Sequence, residues 1–192
     1  AAVFALRRYN LEPGRDVALL QIGGGAERLA AMQSNAVQGT LLTSPQQLLA
    51  KKLGFNVLAD LAQLGIPFLH SAVITRDEVM AQQPDLLNSF SRAVIEGIHF
   101  LKTRPRETLK IFQKYFRTDD QEALQDSYDE YITQIQRIPY VDPKAVQTVL
   151  QTIGESQPAA LKAKPEQFVD HSLLQKIERS GFVEKLYGGQ KQ

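Results

Sequence analysis

Apolar positions follow two rhythms along this chain, and the change falls near Arg76. In the first part they cluster in short runs. After a helical pattern over residues 1–9 and a turn at 10–15, the segment 16–22 is continuously apolar from Val17 to Leu20 and ends on Gly23, Gly24 and Gly25. A short unbroken run bounded by turn residues reads as a strand buried on both faces. Residues 26–34 then take helical period, 37–42 make a second candidate strand, 45–53 a helix closed by Gly54, and 55–58 a third short strand. A further apolar run at 68–75 reads as a crossover. Strands and helices alternating through short connections predict an α/β fold with a parallel sheet in this part of the chain.

Beyond Arg76 the period is helical. Leu86, Phe90, Ala93, Val94, Gly97, Ile98 and Leu101 share one predicted face, and Leu124, Tyr128, Tyr131, Ile135 and Ile138 recur at alternating spacings of 4 and 3. Boundary signals are frequent. Pro84 and Pro105 suit first helical turns, residues 118–121 have capping-box spacing, and Asp142 followed by Pro143 gives an N-cap and an N1 proline. A helix over 143–153 is predicted to stop at Gly154, and a last pair, 172–179 and 182–186, is separated at Ser180 and Gly181.

Composition narrows the chemistry. With 22 basic and 21 acidic residues in 192 the net charge is +1 and no basic cluster stands out, which argues against a nucleic-acid surface. Cysteine is absent, so thiolate metal sites, disulfides and a cysteine nucleophile are excluded. The three histidines, His70, His99 and His171, lie far apart and form no metal-binding spacing. No run approaches the roughly 20 apolar residues that span a bilayer. The chain opens at Ala1 inside a helical pattern, which reads as a processed chain or a piece of a longer one.

Two constellations suggest a binding cleft. Gly23, Gly24 and Gly25 end a strand and open a helix, where free backbone N–H groups and the helix dipole favour an anion. Arg28 stands where a dinucleotide fingerprint would place its last glycine, and no P-loop lysine is present. The glycines either approach a ligand or supply a turn with positive φ. Ser44, Pro45 and Gln47 form the second constellation, an N-cap, an N1 proline and a capping box. In a parallel sheet this helix start emerges on the same edge as the glycine loop, so Thr43 and Ser44 could join it around one ligand. His70 and Ser71 are neighbours on the crossover run and point to opposite faces, which disfavours a catalytic dyad. His99 and His171 read as structural. Asp119, Asp120, Asp126, Asp129 and Glu130 read as a solvated acidic face with no chemistry.

Taken in order, residues 11–17, Gln21 to Gly23 with Arg28 to Met32, residues 35–40, Ser44 with Pro45, and residues 50–58 resemble the periplasmic solute-binding proteins of ABC importers of the nitrate/sulfonate/taurine type. Residues 84–93 resemble the return helix of that family, and 168–173 through 180–187 its C-terminal ending. The resemblance implies a two-lobed, Venus-flytrap type II periplasmic-binding-protein fold with a helix-rich C-terminal half. Residues 1–66 would be the second α/β lobe without its first strand, and 67–192 the crossover strand and helices returning to the first lobe. About the first third of the family pattern would precede Ala1.

By this resemblance the protein is no enzyme. It would capture a small solute such as a sulfonate, nitrate or a taurine-like molecule and deliver it to a membrane permease in the periplasm, held there by a lipid anchor or the permease. It would use no cofactor and no metal. Gly23, Gly24, Thr43, Ser44, His70 and Ser71 match positions that line the family's cleft. Gln38 is neutral where the family is often acidic. Two alternatives share the fold: the effector domain of a bacterial transcription regulator, and a thiamine-pyrimidine synthase-like enzyme, whose cysteine-rich segment this chain lacks.

Overall fold

A computed structural model describes residues 2–61, 65, 67, 69 and 71–188 of the chain. Ten α-helices occur among them: α1 (Ala2–Arg8), α2 (Gly25–Gln33), α3 (Gln46–Lys52), α4 (Asp77–Gln82), α5 (Pro84–Thr103), α6 (Pro105–Phe116), α7 (Gln121–Gln134), α8 (Pro143–Gly154), α9 (Ser172–Arg179) and α10 (Phe182–Tyr187). Short 3₁₀ turns at Pro158–Lys162 and Pro165–Gln167 bridge α8 to α9.

Local chemistry explains most boundaries. Prolines at the first positions of α5 and α8 lose no hydrogen bond, because those N–H groups have no helical acceptor. The Asp142 side chain accepts from the Lys144 N–H at 2.8 Å and caps α8. Ahead of α7, Asp120 takes this role: its carboxylate accepts from the Ala123 N–H at 3.1 Å. Gly181, at φ 72°, makes the left-handed turn between α9 and α10 that a side chain would strain.

The chain divides into two compact units, residues 1–65 with 109–131, and residues 66–108 with 132–192. In the first unit α2 packs on α3, and Leu29, Ala50, Ala123, Leu124 and Tyr128 are buried. The turn after α1 closes on Asp16, whose carboxylate accepts the Glu12 N–H at 2.8 Å and pairs with Arg15. The Arg15 guanidinium, and then the Glu12 N–H, hold the Asp16 carboxyl below its ordinary range. Segments 18–23, 37–43 and 55–60 carry no regular secondary structure. Among the described residues no strand ladder forms, and one isolated bridge joins Pro13 to Val17. Leu19, Leu20, Val57 and Leu58 are exposed along these segments. The predicted crossover run 68–75 lies partly outside the described residues; its part 71–75 is irregular, with Val73 and Ile74 exposed.

In the second unit α5 packs against α4, α9 and α10. Ile95, Ile177 and Val183 form its buried centre, surrounded by Ile138, Leu173, Leu174, Phe182, Leu186 and Tyr187. Of the face expected from the sequence of α5, Ile98 is buried, and the burial centres between it and Ile95. Ile95 is fully buried, whereas Leu86 and Phe90 are 57% and 48% exposed. Apolar residues surround much of α5, so periodicity alone does not select which stripe α9 and α10 cover.

Arginine stacking fastens α10. The Arg92 guanidinium lies 4.4 Å from the centre of the Phe182 ring, and Arg137 lies 4.5 Å from that of Tyr187. His99 meets Tyr187 edge to face with centroids 4.7 Å apart. The Tyr187 hydroxyl and His99 Nε2 are buried without a hydrogen-bond partner. Burial pushes the Tyr187 phenol upward, with Arg137 pulling the other way.

Candidate functional site

None of Gly23, Gly24 and Gly25 has a positive φ; Gly24, the residue preceding α2, sits at φ −75° and ψ −173°. The ends of two flexible side chains lie beside them. A Cβ on Gly24 would lie 2.9 Å from Glu27 Oε2, and one on Gly25 would lie 3.2 Å from Gln46 Cδ and Oε1. Glu27 is the third residue of α2, in its first turn. Its carboxylate also lies close to Gly23. An acidic residue in the first turn suits the helix dipole, and no side chain caps this helix. On the carbonyl side of the loop, Arg28 Nε donates to the Gly24 oxygen at 3.2 Å.

The approach of Gly25 to Gln46 brings the starts of α2 and α3 together within the first unit. Gly23 and Gly24 precede the first of these starts, and Thr43 and Ser44 the second. The local geometry differs from the sequence expectation at Ser44. Helix α3 begins at Gln46 after Pro45, the Ser44–Pro45 peptide is cis, and no side chain caps the helix. The first helical bond runs from the Gln47 N–H to the Thr43 carbonyl at 3.1 Å. The buried Ser44 hydroxyl instead donates to Asp126 Oδ2 at 2.5 Å. A carboxylate is a stronger acceptor for the hydroxyl than a backbone carbonyl.

A second tie joins the same elements. Lys52, at the end of α3, lies 2.7 Å from Asp120 and 2.8 Å from Glu122. Asp120 first, then Glu122, raises the Lys52 ammonium above its ordinary value, while Lys52 and then the Ala123 N–H hold the Asp120 carboxyl down. Two members of the acidic face, Asp120 and Asp126, thus bind α7 to the α3 region. Asp126 is 82 residues from Ser44, so no local motif announces their pairing. The Glu27 contact had a local signal, glutamate three residues after the loop glycine.

Ser71 is exposed and belongs to the second unit. His70 lies outside the described residues. Among the described residues no group of three or more His, Asp or Glu side chains is placed to hold a metal ion. No described helix is long and apolar enough to cross a membrane.

A model of the NMT1-like family matches residues 3–113, more than half of the chain. The chain belongs to the NMT1-like family. The match takes in the glycine loop, Ser44 and helices α2 to α5. NMT1-like proteins belong to the nitrate/sulfonate/taurine-binding periplasmic protein group, and solute binding without catalysis is typical of them. No curated protein and no solved structure matches this NMT1-like chain.

Proposed function

We propose that this NMT1-like chain serves as the solute-binding component of an ABC importer. It captures a small sulfonate-, nitrate- or taurine-like solute, or a related organic molecule, between two lobes, and hands it to a membrane permease from the periplasm. The family match over residues 3–113 carries this reading. Support comes from the meeting of the α2 and α3 starts, each preceded by an irregular apolar segment. In this reading those segments are the strands of an α/β lobe, and Gly23, Gly24, Thr43 and Ser44 line one wall of the cleft. His70 and Ser71 would stand near the crossover. Lobe closure would follow from a solute that binds the closed state better than the open one.

Calorimetric titration of the protein with taurine, ethanesulfonate, nitrate and small neutral heterocycles tests this function. Saturable heat with the solute recovered unchanged is the expected result. No heat from any of them, or conversion of the solute, counts against it.

A further inference from the structure

We infer that the outward face of α5 is a contact for a second copy of this chain, whose own α5 lies against it antiparallel. Helix α5 has two opposite apolar faces. On one, Ile95 and Ile98 are buried, and Arg92 and His99 beside them stack on Phe182 and Tyr187 of α10. On the other, Leu86, Phe90, Ala93, Gly97 and Phe100 are exposed. Their spacings of 4, 3, 4 and 3 are the repeat by which two helices interlock side chains along a seam. A continuous apolar stripe on a surface marks an interaction site, unlike apolar residues scattered singly.

The order of sizes along the stripe decides partner and direction. The small residues, Ala93 and Gly97, lie in its middle, and a Cβ added to Gly97 would meet nothing within 4 Å, so the notch there is open. A second α5 turned end for end, about a twofold axis level with residue 95, sets Ala93 of each copy against Gly97 of the other. Phe90 then meets Phe100 on either side. The small pairs let the two backbones approach, and the ring pairs close the seam. Charge agrees with this register. It brings Asp85, exposed in the first turn, beside Arg104 at the far end of the other helix, where the guanidinium is 62% exposed and reaches its own Glu107 only at 3.7 Å. Parallel pairing would set Asp85 against Asp85 and Arg104 against Arg104, with the two helix dipoles aligned. Glu96, also exposed, flanks the twofold axis in both copies and opposes the contact. One helix from each copy covers less than the roughly 800 Å² per partner of a stable complex, so the dimer is weak and forms at about 0.1 mM and above.

Sedimentation equilibrium of the intact protein from about 10 μM to about 1 mM, with variants of unchanged far-UV circular dichroism, tests the inference. The wild type should pass from monomer to dimer. Phe90→Asp should weaken association by about tenfold or more, as loss of a central aromatic contact does, and Glu96→Gln should strengthen it. Asp85→Arg should weaken it, and adding Arg104→Asp should restore it. Within one helix these two side chains are about 28 Å apart, so that rescue requires a second copy. Because the chain has no cysteine, an equimolar mixture of Ala93→Cys and Gly97→Cys proteins should oxidise chiefly to the mixed disulfide. A monomer across the whole range, a dimer indifferent to Phe90→Asp, or an excess of the two homodisulfides overturns the inference. So does an Ala93→Cys thiol that is shielded from a maleimide without cross-linking, since another part of the protein would then cover this face.

Discussion

Ser44 and Asp126, 82 residues apart, are joined by a 2.5 Å hydrogen bond that ties the segment before α3 to α7. The serine sits where a helix cap is expected and serves instead as a tertiary donor. A double-mutant cycle of Ser44→Ala and Asp126→Asn should show a coupling of about 1.5 kcal/mol or more, typical of a hydrogen bond to a charged group. Denaturant titration measures it. A coupling near zero would mean that the hydroxyl acts locally.

Ionic conditions should act on the Lys52 tie. The Asp120 carboxyl is lowered from 3.8, so its contribution is present above that value and fades as pH falls through the lowered one. The Lys52 ammonium is raised from 10.5, so its contribution is complete below that value and fades as pH climbs through the raised one. Between these limits Lys52→Met should lower Tm, and the deficit should shrink at about 1 M salt and at about pH 3. Thermal scans of both proteins under these three conditions check this. Equal deficits everywhere would assign the loss to packing of the lysine stem.

Two glycines should respond oppositely to alanine. Gly181 holds φ 72° between α9 and α10, so Gly181→Ala should cost about 1–2 kcal/mol. Gly97, in the middle of α5, has nothing within 4 Å of a new Cβ, so Gly97→Ala should add about 1 kcal/mol through helix propensity. Their Tm shifts should differ in sign.

Tyr187 offers a separable test of packing and polarity. Removing the partnerless buried hydroxyl with Tyr187→Phe should leave stability unchanged or raise it by about 1 kcal/mol, because no hydrogen bond is lost. Tyr187→Ala removes the ring between Arg137 and His99 and should cost about 2 kcal/mol or more. A loss on Tyr187→Phe as large as on Tyr187→Ala would reveal a hydroxyl partner in solution.

Much of the helical half was legible in the sequence because its signals are local. Pro84, the Asp142–Pro143 pair and Gly181 act within a few residues of themselves, and the predicted start of α5 and the predicted starts and stops of α8, α9 and α10 lie at or within a residue of the observed ones. The glycine loop was legible as the start of α2, whereas its expected meeting with the start of α3 rested on a parallel sheet, and no strand ladder forms among the described residues. The surroundings of the glycines were not legible, because they depend on which side chains approach: Glu27 from α2 and Gln46 from α3. Sheet formation also depends on a partner, since an extended segment becomes a strand through hydrogen bonds to another chain segment.

What the sequence by itself determined is therefore the starts of α5, α6 and α8, the Asp142 cap, the Gly181 turn and the absence of cysteine. Tertiary structure decided which face of α5 is buried, where the Ser44 hydroxyl points, and that Asp120 and Asp126 join the α3 region instead of facing water alone. Helix periodicity and capping are set within one or two turns of chain. The choice among apolar faces and among acceptors is set by energies between residues far apart, and those exist once the units have folded.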